Sequence, residues 1–302
     1  MALRVCVTGG TGYIGSSVVE TFVKAGHSVV ALGRSQERLR MLESLGAQAV
    51  ACDMEHPSAI IEAAAGADIV VHTAFEGSAR GPALERALLD QWLPALQQAG
   101  APRAFLYTSG IWVLGAAPVA VDESAPLAPA AISAWRAPHE ALVLAAHAGS
   151  LRTVVIRPGI VFGGGQGIVS DLVKQALNGL IRVIGPGTNH WPGVHHRDLA
   201  ELYLRIAEAP DAAGVFHGTD GAEETVNDIA EALADHLAQR PDIRHMPLEE
   251  ARTKLGPYAD ALALDQRVVS ARAHALGWQP TALGASTHVA RLFQEYRNAH
   301  SG

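Results

Sequence analysis

Short apolar runs alternate with amphipathic segments through the first half of the chain. The runs lie at 3–7, 28–32, 47–51, 68–72, 103–107 and 152–156. Few polar residues interrupt them, which is typical of parallel strands covered by helices on both faces. Between them, three segments repeat apolar residues at helical spacing: 13–25, 35–45 and 82–99. This pattern predicts an α/β fold with a doubly wound parallel sheet.

The alternation ends near Gly159, and a glycine-rich loop then leads into a helix predicted at 168–179. Further along, Asp198 and Thr225 each precede apolar residues at helical spacing, so each is predicted to cap the N-terminus of a helix. Asp228, three residues after Thr225, completes the pattern of a capping box. The second half is therefore predicted to be mostly helical.

Composition and charge narrow the class of partner. The 302 residues include 23 Lys and Arg against 30 Asp and Glu, a net charge of −7. This balance gives no basic surface for nucleic acid or anionic membrane, so a small-molecule partner is expected. Cys6 and Cys52 lie in apolar runs and are expected to be reduced and buried thiols. No apolar window approaches the roughly 18 residues of a membrane span, and a cytoplasmic protein is predicted.

The segment 8–15, TGGTGYIG, lies between the first predicted strand and the first predicted helix. Gly9 permits a tight turn, Gly12 lets the backbone approach a pyrophosphate, and Gly15 allows close packing of helix on strand. The helix N-terminus offers N–H donors and a positive dipole end to the anion. The segment therefore predicts a Rossmann-type dinucleotide site, with further contacts from Thr11, Tyr13 and Ile14.

The end of the second strand distinguishes NADP from NAD. An Asp or Glu there would accept hydrogen bonds from the adenosine ribose of NAD, but this chain has Arg34 and Ser35. The Arg34 guanidinium can bind a 2′-phosphate through a charge-assisted pair, and Ser35 and Arg38 could add contacts. NADP(H) is the predicted cofactor.

These residues and several downstream segments resemble the extended branch of the short-chain dehydrogenase/reductase superfamily, which includes sugar-nucleotide epimerases and dehydratases and carbonyl reductases. The matches come in family order: Asp53-Met54 after the third strand, an H-x-A segment at 72–74, R-P-G-x-x-x-G at 157–163 and V-H-x-x-D-x-A at 194–200. The resemblance implies cofactor contacts from Asp53, Met54, Thr73, Ala74, Phe75, Pro158, Gly159 and Val161.

The resemblance also implies where catalysis would occur. In the superfamily a Ser or Thr after the fifth strand binds the substrate oxygen, a position that Ser109 matches. A Tyr and, four residues later, a Lys then carry the proton and the cofactor ribose. The corresponding segment 132–140, ISAWRAPHE, contains neither Tyr nor Lys.

Two registers are open for that segment. If Glu140 matches the Glu that often follows the Lys, Arg136 takes the Lys position and Ile132 the Tyr position. If Trp135 replaces the Tyr, His139 replaces the Lys. The spacing from Glu140 to the R-P-G segment favours the first register. Arg136 is then predicted to position the cofactor ribose, while His139 is a candidate proton donor.

Aromatic and metal-ligand candidates add little to this assignment. Trp112 and Trp191 either line a substrate pocket or pack in the core, and the sequence does not decide between the two. Ser109 does not lie in a G-x-S-x-G elbow, which argues against a serine hydrolase. The pair at 195–196 lacks the spacing of a helical metal site, and no metal is predicted.

The sequence thus predicts a Rossmann domain at 1–165, to which 196–220 return, and a smaller, mostly helical substrate lobe at 166–195 and 221–302. The predicted function is that of an NADP-dependent reductase acting on a carbonyl or related small molecule. Epimerase or dehydratase action on a nucleotide sugar is an alternative, and so is a non-catalytic NADP(H)-binding sensor or scaffold. The resemblance also implies that the chain could form a homodimer through segments 82–99 and 130–148. The apolar faces of these segments could equally pack in the core.

Overall fold

The computed structural model describes residues 2–99 and 103–301 of the chain. Within these residues the strands are β1 Arg4–Thr8, β2 Ser28–Gly33, β3 Gln48–Ala51, β4 Ile69–His72, β5 Arg103–Thr108, β6 Ala117–Val121, β7 Leu151–Pro158, β8 Ile160–Phe162, β9 Leu180–Ile184, β10 Gly193–His195, β11 Gly214–Gly218, β12 Asp242–Met246 and β13 Gln266–Val268. The helices are α1 Tyr13–Lys24, α2 Gln36–Ser44, α3 Pro57–Ala63, α4 Gly81–Gln98, α5 Arg136–Ala145, α6 Gly167–Leu177, α7 His196–Glu208, α8 Val226–Asp235, α9 Leu248–Leu255, α10 Pro257–Leu262, α11 Ala271–Ala275 and α12 Val289–His300.

Seven strands form the main sheet in the order β11-β7-β5-β4-β1-β2-β3. The chain starts at β1, runs outward to β3, and then returns to β4 on the other side of β1. Pairs across this reversal are parallel and in register, with Thr8 beside His72 and beside Leu32. The predicted doubly wound α/β fold is confirmed. In such sheets the crevice at the carboxyl ends of strands on either side of the reversal is the usual ligand site.

The predicted strands and crossover helices of the first half match the structure to within a residue or two at each end. The helix α1 buries Val18, Val19 and Phe22, the apolar positions expected at helical spacing. Gly26 follows with a φ of 85°, a backbone conformation in which a side chain would be strained. The sequence signal was strong here because local periodicity and capping agree.

Two compact units divide the described residues. The first comprises residues within 1–109, 135–156 and 200–216, and the second comprises residues within 110–134, 157–199 and 217–302. The sequence predicts one domain from 1–165 and 196–220, whereas 110–134, 157–165, 196–199 and 217–220 fall within the second unit. The division into a cofactor domain and a substrate lobe stays a prediction.

The core of the first unit lies between the main sheet and its helices. Large side chains of α4 and β5, including Trp92 and Phe105, are buried there with Cys6. Both cysteines are free thiols, and burial raises the pKa of Cys6 to about 12. Cys6 is buried as predicted, whereas Cys52 is only partly buried, so the prediction of burial is wrong for Cys52.

The second unit combines helices with three two-stranded parallel pairs, β8–β10, β9–β12 and β6–β13. Its main core gathers apolar residues of α6, α8 and α12 around Phe162 and Ile181. Thr225 caps α8 and forms a capping box with Asp228, which confirms that prediction. No helix in 2–99 or 103–301 has both the length and the apolar character needed to cross a membrane.

Asp198 does not cap the helix that follows it, so that prediction is wrong. The helix α7 begins two residues earlier, at His196. The Asp198 carboxylate instead accepts hydrogen bonds from the Thr281 hydroxyl at 2.8 Å and from the Ala282 amide at 2.9 Å. A distant segment of the second unit therefore uses the side chain that local sequence assigned to capping.

Candidate functional site

A cavity of about 450 Å³ opens in the first unit at the carboxyl ends of β1, β2, β4 and β5. Most of the residues predicted to bind cofactor or substrate line it together. They are Gly9, Thr11, Gly12, Tyr13, Ile14, Arg34, Asp53, Met54, Thr73, Ala74, Phe75, Ser109 and Arg136. Residues spread over more than a hundred positions thus meet at one edge of the sheet.

Glycines form the floor of this cavity because the neighbouring backbone leaves no room for a side chain at these positions. Gly9 has a φ of 66°, and a Cβ there would lie 2.6 Å from the Ala74 Cα. A Cβ on Gly15 would overlap the Gly9 carbonyl oxygen and lie 2.6 Å from the Thr73 hydroxyl. Gly12 is the N-cap residue of α1 and has no side chain to cap the helix, so the first turn presents backbone donors at the cavity. The loop therefore makes a cradle suited to a phosphate group.

Cationic side chains lie at the end of the cavity formed by β2 and α2. The Arg34 guanidinium is exposed and lies 4.0 Å from the Asp53 carboxylate. Arg38 donates to the Thr11 carbonyl at 3.4 Å and also lines the cavity. Ser35 is not a lining residue; its hydroxyl accepts from the Arg38 amide and caps α2. Two guanidinium groups are thus available to a second anionic group.

Ser109 follows β5, and its position is set by the sheet. Its amide donates to the Ile156 carbonyl at 2.7 Å, which continues the pairing of β5 with β7. The side chain is 6% exposed, and its hydroxyl has no hydrogen-bond partner among the described residues. A buried hydroxyl without a partner carries a desolvation cost, and a bound ligand would remove it.

Arg136, the first residue of α5, lines the same cavity. Its guanidinium donates to the Thr108 carbonyl at 3.0 Å and lies 4.3 Å from the centroid of the Trp135 ring. The rings of Phe75 and Trp135 stack with their centroids 6.2 Å apart. The Arg136 guanidinium also lies 5.6 Å from the centroid of the Phe75 ring. The cation is thereby held beside Ser109 by one hydrogen bond and two aromatic faces.

His139 lies on the same helix but does not line the cavity. It is buried, and its Nδ1 lies 3.4 Å from Glu85 Oε1. Tyr107 donates to the same carboxylate oxygen at 2.5 Å. Burial would raise the pKa of Glu85, but the hydrogen bond from His139 and nearby positive charges outweigh it and lower that pKa. The geometry places Arg136, and not His139, at the cavity.

Five other predicted contact residues belong to the second unit. Pro158 ends β7, Gly159 follows it, and Val161 lies in β8 beside Val194. Trp112 packs edge-on against Tyr258 at 5.9 Å, and Trp191 donates its indole N–H to the Leu262 carbonyl at 3.0 Å. The cofactor and substrate roles predicted for these residues stay predictions.

Several further residues that line the cavity are not among the predicted cofactor or substrate contacts. They are Thr8, Leu32, Gly33, Cys52, Ile60, Glu76 and Thr108. Most lie at or just beyond the end of a strand, so the rule that ligands bind at the carboxyl ends of a parallel sheet could have identified them. Thr108 also accepts or donates a 2.6 Å hydrogen bond with the Tyr203 hydroxyl, a contact with no local signal.

His195, His196 and Glu295 come together in the second unit, with their ligand atoms within 4.8 Å of one another. The Arg197 amide donates to Nδ1 of His195 at 3.2 Å, which places the imidazole proton on Nε2. That nitrogen faces Glu295 Oε1 at 3.5 Å, while Arg291 and the Gly164 amide bind the same carboxylate. Nε2 of His195 is buried and has no hydrogen-bond partner among the described residues, although the Glu295 carboxylate lies close to it.

Comparison with known families agrees with this geometry. The profile of the NAD dependent epimerase/dehydratase family matches residues 5–217, which include the whole lining of the cavity. The chain belongs to this family. The resemblance to extended short-chain dehydrogenases/reductases drawn from the sequence is thereby confirmed.

Three relatives illustrate the range of the family. A 4-hydroxy-2-methyl-3-oxo-4-farnesyl-3,4-dihydroquinoline-1-oxide ketoreductase of Stigmatella aurantiaca is 30% identical over 83% of this chain and 78% of its own length. A 2-alkyl-3-oxoalkanoate reductase of Stenotrophomonas maltophilia is 33% identical over 70% of this chain and 68% of its own. The structure of human epimerase family protein SDR39U1 with NADPH has a TM-score of 0.73 at 24% identity and covers 98% of this chain and 100% of that one.

Proposed function

We propose that the chain is an NADP(H)-dependent reductase that acts on a carbonyl group of a small molecule. One observation carries the proposal: the glycine cradle, the Arg34 and Arg38 pair, Ser109 and Arg136 line a single cavity. An anion cradle alone would suit many nucleotides. The addition of a buried hydroxyl and a fixed cation at the other end supplies groups that act on a carbonyl oxygen.

The residues of the cavity fit a dinucleotide phosphate. Side-chain-free Gly9 and Gly15 leave space that a Cβ would fill, and the first turn of α1 would bind the pyrophosphate. Arg34 and Arg38 would bind the 2′-phosphate, since no carboxylate stands at the end of β2 to bind a ribose hydroxyl. When bound, such a cofactor supplies the hydride for reduction of the carbonyl carbon.

The protein's own contribution is made at the carbonyl oxygen. The Ser109 hydroxyl donates a hydrogen bond to that oxygen as negative charge develops on it. Arg136 supplies a permanent positive charge beside Ser109 and hydroxyl-binding N–H groups for the cofactor ribose. Because a guanidinium does not release its proton at neutral pH, the proton that completes the alcohol comes from Ser109, which regains it from water.

The relatives support a carbonyl substrate. Two of them are named as a ketoreductase and an oxoalkanoate reductase, and they are 30% and 33% identical to this chain. Human SDR39U1 was solved with NADPH, which supports NADP(H) as the cofactor here. Epimerase or dehydratase action, which the family name includes, would use the same cavity.

A non-catalytic NADP(H) sensor is the second candidate. It is favoured by one observation: no histidine or lysine is among the described residues that line the cavity. Such a protein would need the cradle and the two arginines but no proton donor. Turnover therefore separates the two candidates, whereas cofactor binding does not.

The first experiment measures NADPH and NADH binding by fluorescence titration. Arg34→Ala should raise the Kd for NADPH about 10- to 100-fold, the value of a lost charge-assisted hydrogen bond, and leave NADH binding unchanged. Arg40→Ala, an exposed arginine on α2 that does not line the cavity, is the matched control. Equal loss for both cofactors in Arg34→Ala would contradict a 2′-phosphate site.

The second experiment follows NADPH oxidation over a panel of aldehydes, ketones and imines. Turnover that falls at least tenfold in Ser109→Ala, with an unchanged Kd for NADPH, supports the reductase. Tight binding of NADPH without oxidation by any acceptor favours the sensor. No binding of either cofactor would exclude both candidates.

A further inference from the structure

The helix α4 carries a buried carboxylate that does not line the cofactor cavity. Glu85 is 2% exposed and lies on the apolar face of this helix. Its Oε1 accepts a hydrogen bond from the Tyr107 hydroxyl at 2.5 Å, and Nδ1 of His139 lies 3.4 Å from the same oxygen. Well-packed apolar residues in place of a buried charge are often equally stable or more stable, so packing alone does not require a carboxylate here.

The Arg136 guanidinium, by contrast, has few contacts that fix it at the cavity. It donates a hydrogen bond to the Thr108 carbonyl and lies against the rings of Trp135 and Phe75. Among the described residues it forms no ion pair. A long side chain with so few polar contacts keeps several rotamers open, so its position depends on the groups around it.

A continuous series of side-chain contacts runs from Glu85 to this guanidinium. Arg136 and His139 are three residues apart in α5 and are therefore neighbours on its surface. The centroid of the Trp135 ring lies 5.2 Å from that of the His139 ring and 4.3 Å from the guanidinium carbon. The first turn of α5 has no side-chain cap, and the contact of His139 with Glu85 links this turn to α4.

Charge also acts between Glu85 and Arg136. Burial would raise the pKa of Glu85, but the hydrogen bond from His139 and nearby positive charges, including that of Arg136, lower it. Glu85 is therefore ionised at neutral pH. Because the attraction between two charges is mutual, the carboxylate on α4 draws the guanidinium towards this helix.

We propose that Glu85 is a positioning residue for Arg136. Through His139 and Trp135 it holds the guanidinium where that group binds the cofactor ribose, while Glu85 itself touches neither cofactor nor substrate. This inference rests on the cofactor-binding role proposed for Arg136, and it does not require that a carbonyl substrate is reduced.

The test is a double-mutant cycle in the full chain, measured as binding of NADPH and NADH by fluorescence titration. Glu85→Gln should raise both Kd values about 3- to 10-fold, within the usual range of coupling between contacting groups. The factor should be the same for both cofactors, because both contain the ribose that Arg136 binds. In the Arg136→Gln variant, which lacks the guanidinium, the addition of Glu85→Gln should change neither Kd.

The sign of the effect separates positioning from a simple charge effect. Both cofactors are anions, so the loss of a nearby carboxylate would tighten their binding if Glu85 acted only through its field. Glu62→Gln, at an exposed position of α3 that does not line the cavity, is the matched control for the loss of one negative charge. It should bind both cofactors like the wild type.

Two further variants separate positioning from a loss of stability. Leu96→Ala makes a cavity in the core beneath α4 but removes no contact of the series, so it should lower stability and leave both Kd values unchanged. If Glu85→Gln does not fold, Trp135→Leu breaks the same series of contacts at a half-buried position. It should show the same weaker binding and the same lack of effect in the Arg136→Gln variant.

An equal loss from Glu85→Gln with and without the Arg136 guanidinium would show a structural role and overturn the inference. Tighter binding, or a loss confined to NADPH, would overturn it as well. Coupling between the two residues in a protein that oxidises NADPH with no acceptor would support the inference and contradict the reductase. A protein that binds neither cofactor would overturn both.

Discussion

Tyr107 and Tyr203 offer a matched comparison of two buried hydroxyl groups in the first unit. Both side chains are fully buried, at 0% exposure. Tyr107 donates to the Glu85 carboxylate at 2.5 Å, whereas the Tyr203 hydroxyl pairs with the neutral hydroxyl of Thr108 at 2.6 Å. The substitutions Tyr107→Phe and Tyr203→Phe remove one hydroxyl each and leave the ring packing in place.

The losses of stability expected for the two substitutions differ because Tyr107 binds a charged carboxylate and Tyr203 a neutral hydroxyl. A net hydrogen bond to a charged group contributes about 1.5–3 kcal/mol, and one between neutral groups about 0.5–1.5 kcal/mol. Tyr107→Phe also leaves the buried Glu85 carboxylate with only the longer contact to His139, which places its cost at the upper end. We expect Tyr107→Phe to lower the free energy of unfolding by about 3 kcal/mol and Tyr203→Phe by about 1 kcal/mol.

Urea unfolding followed by circular dichroism measures both values, with an unchanged slope as the check that only stability has changed. The pH dependence provides a second arm. Because the folded-state pKa of Glu85 is lowered, its contribution is present above the ordinary value of 4.5 and is lost as the pH falls through the folded-state pKa. The difference between the two variants should therefore shrink in acid. Equal costs, or a difference that does not change with pH, would refute the assignment of charge to Glu85.

Three further predictions concern Gly15, Asp220 and Arg136, and Gly110 serves as the control for the first. Gly15→Ala gains about 1 kcal/mol of helix propensity, but its Cβ would overlap the Gly9 carbonyl oxygen, which costs about 1–3 kcal/mol. Urea unfolding should therefore show a net loss of stability, and titration should show weaker NADPH binding. Gly110→Ala, with extended backbone and nothing within 4 Å of its Cβ, should be neutral. Burial raises the pKa of Asp220 from its ordinary value of 3.8 to about 6. On the order of 3 kcal/mol of stability should therefore be lost as the pH rises from about 4 to about 6. A urea midpoint that rises over this range, or one that falls equally in Asp220→Asn, would contradict this prediction. Arg136→Lys loses the planar stacking on aromatic rings and should lower the free energy of unfolding by about 1 kcal/mol; an unchanged urea midpoint would show that the stacking contributes nothing.

Local periodicity predicted the first half of the fold well because each of its elements has its own signal. The strands that end at Thr8 and Gly33 are continuous apolar runs, and α1 repeats its apolar face every three or four residues. The glycine loop adds Gly9, whose φ of 66° favours glycine, and Gly15, where a Cβ would overlap the Gly9 carbonyl oxygen. Sequence, backbone and packing therefore agree over the segments that build the cofactor cavity.

The pairs β6–β13 and β9–β12 could not be predicted in this way. Each pair joins strands of three to five residues that are separated by long stretches of chain. No turn or hairpin sets their register, so nothing local marks them. The same holds for Asp198, whose partners lie more than eighty residues away.

The sequence around Glu85 contains a signal for a buried ion-pair or hydrogen-bond partner. Glu85 stands three and four residues before Leu88 and Leu89, on the apolar face of α4. A carboxylate at a core position requires a donor, because a buried charge without a partner is costly. That requirement predicts a partner but not which one, since His139 lies 54 residues away.

Ser109 tests whether the cavity is built for binding or for chemistry. Its buried hydroxyl has no partner among the described residues, and an unpaired group of this kind costs about 1–3 kcal/mol. An alanine would fill the same space without that cost. If the hydroxyl serves a substrate oxygen, Ser109→Ala should leave the free energy of unfolding unchanged or raise it by about 1 kcal/mol while it reduces turnover. If the serine is structural, the variant should be destabilised and turnover should fall only with the amount of folded protein. A stabilised variant with full activity would remove Ser109 from the mechanism.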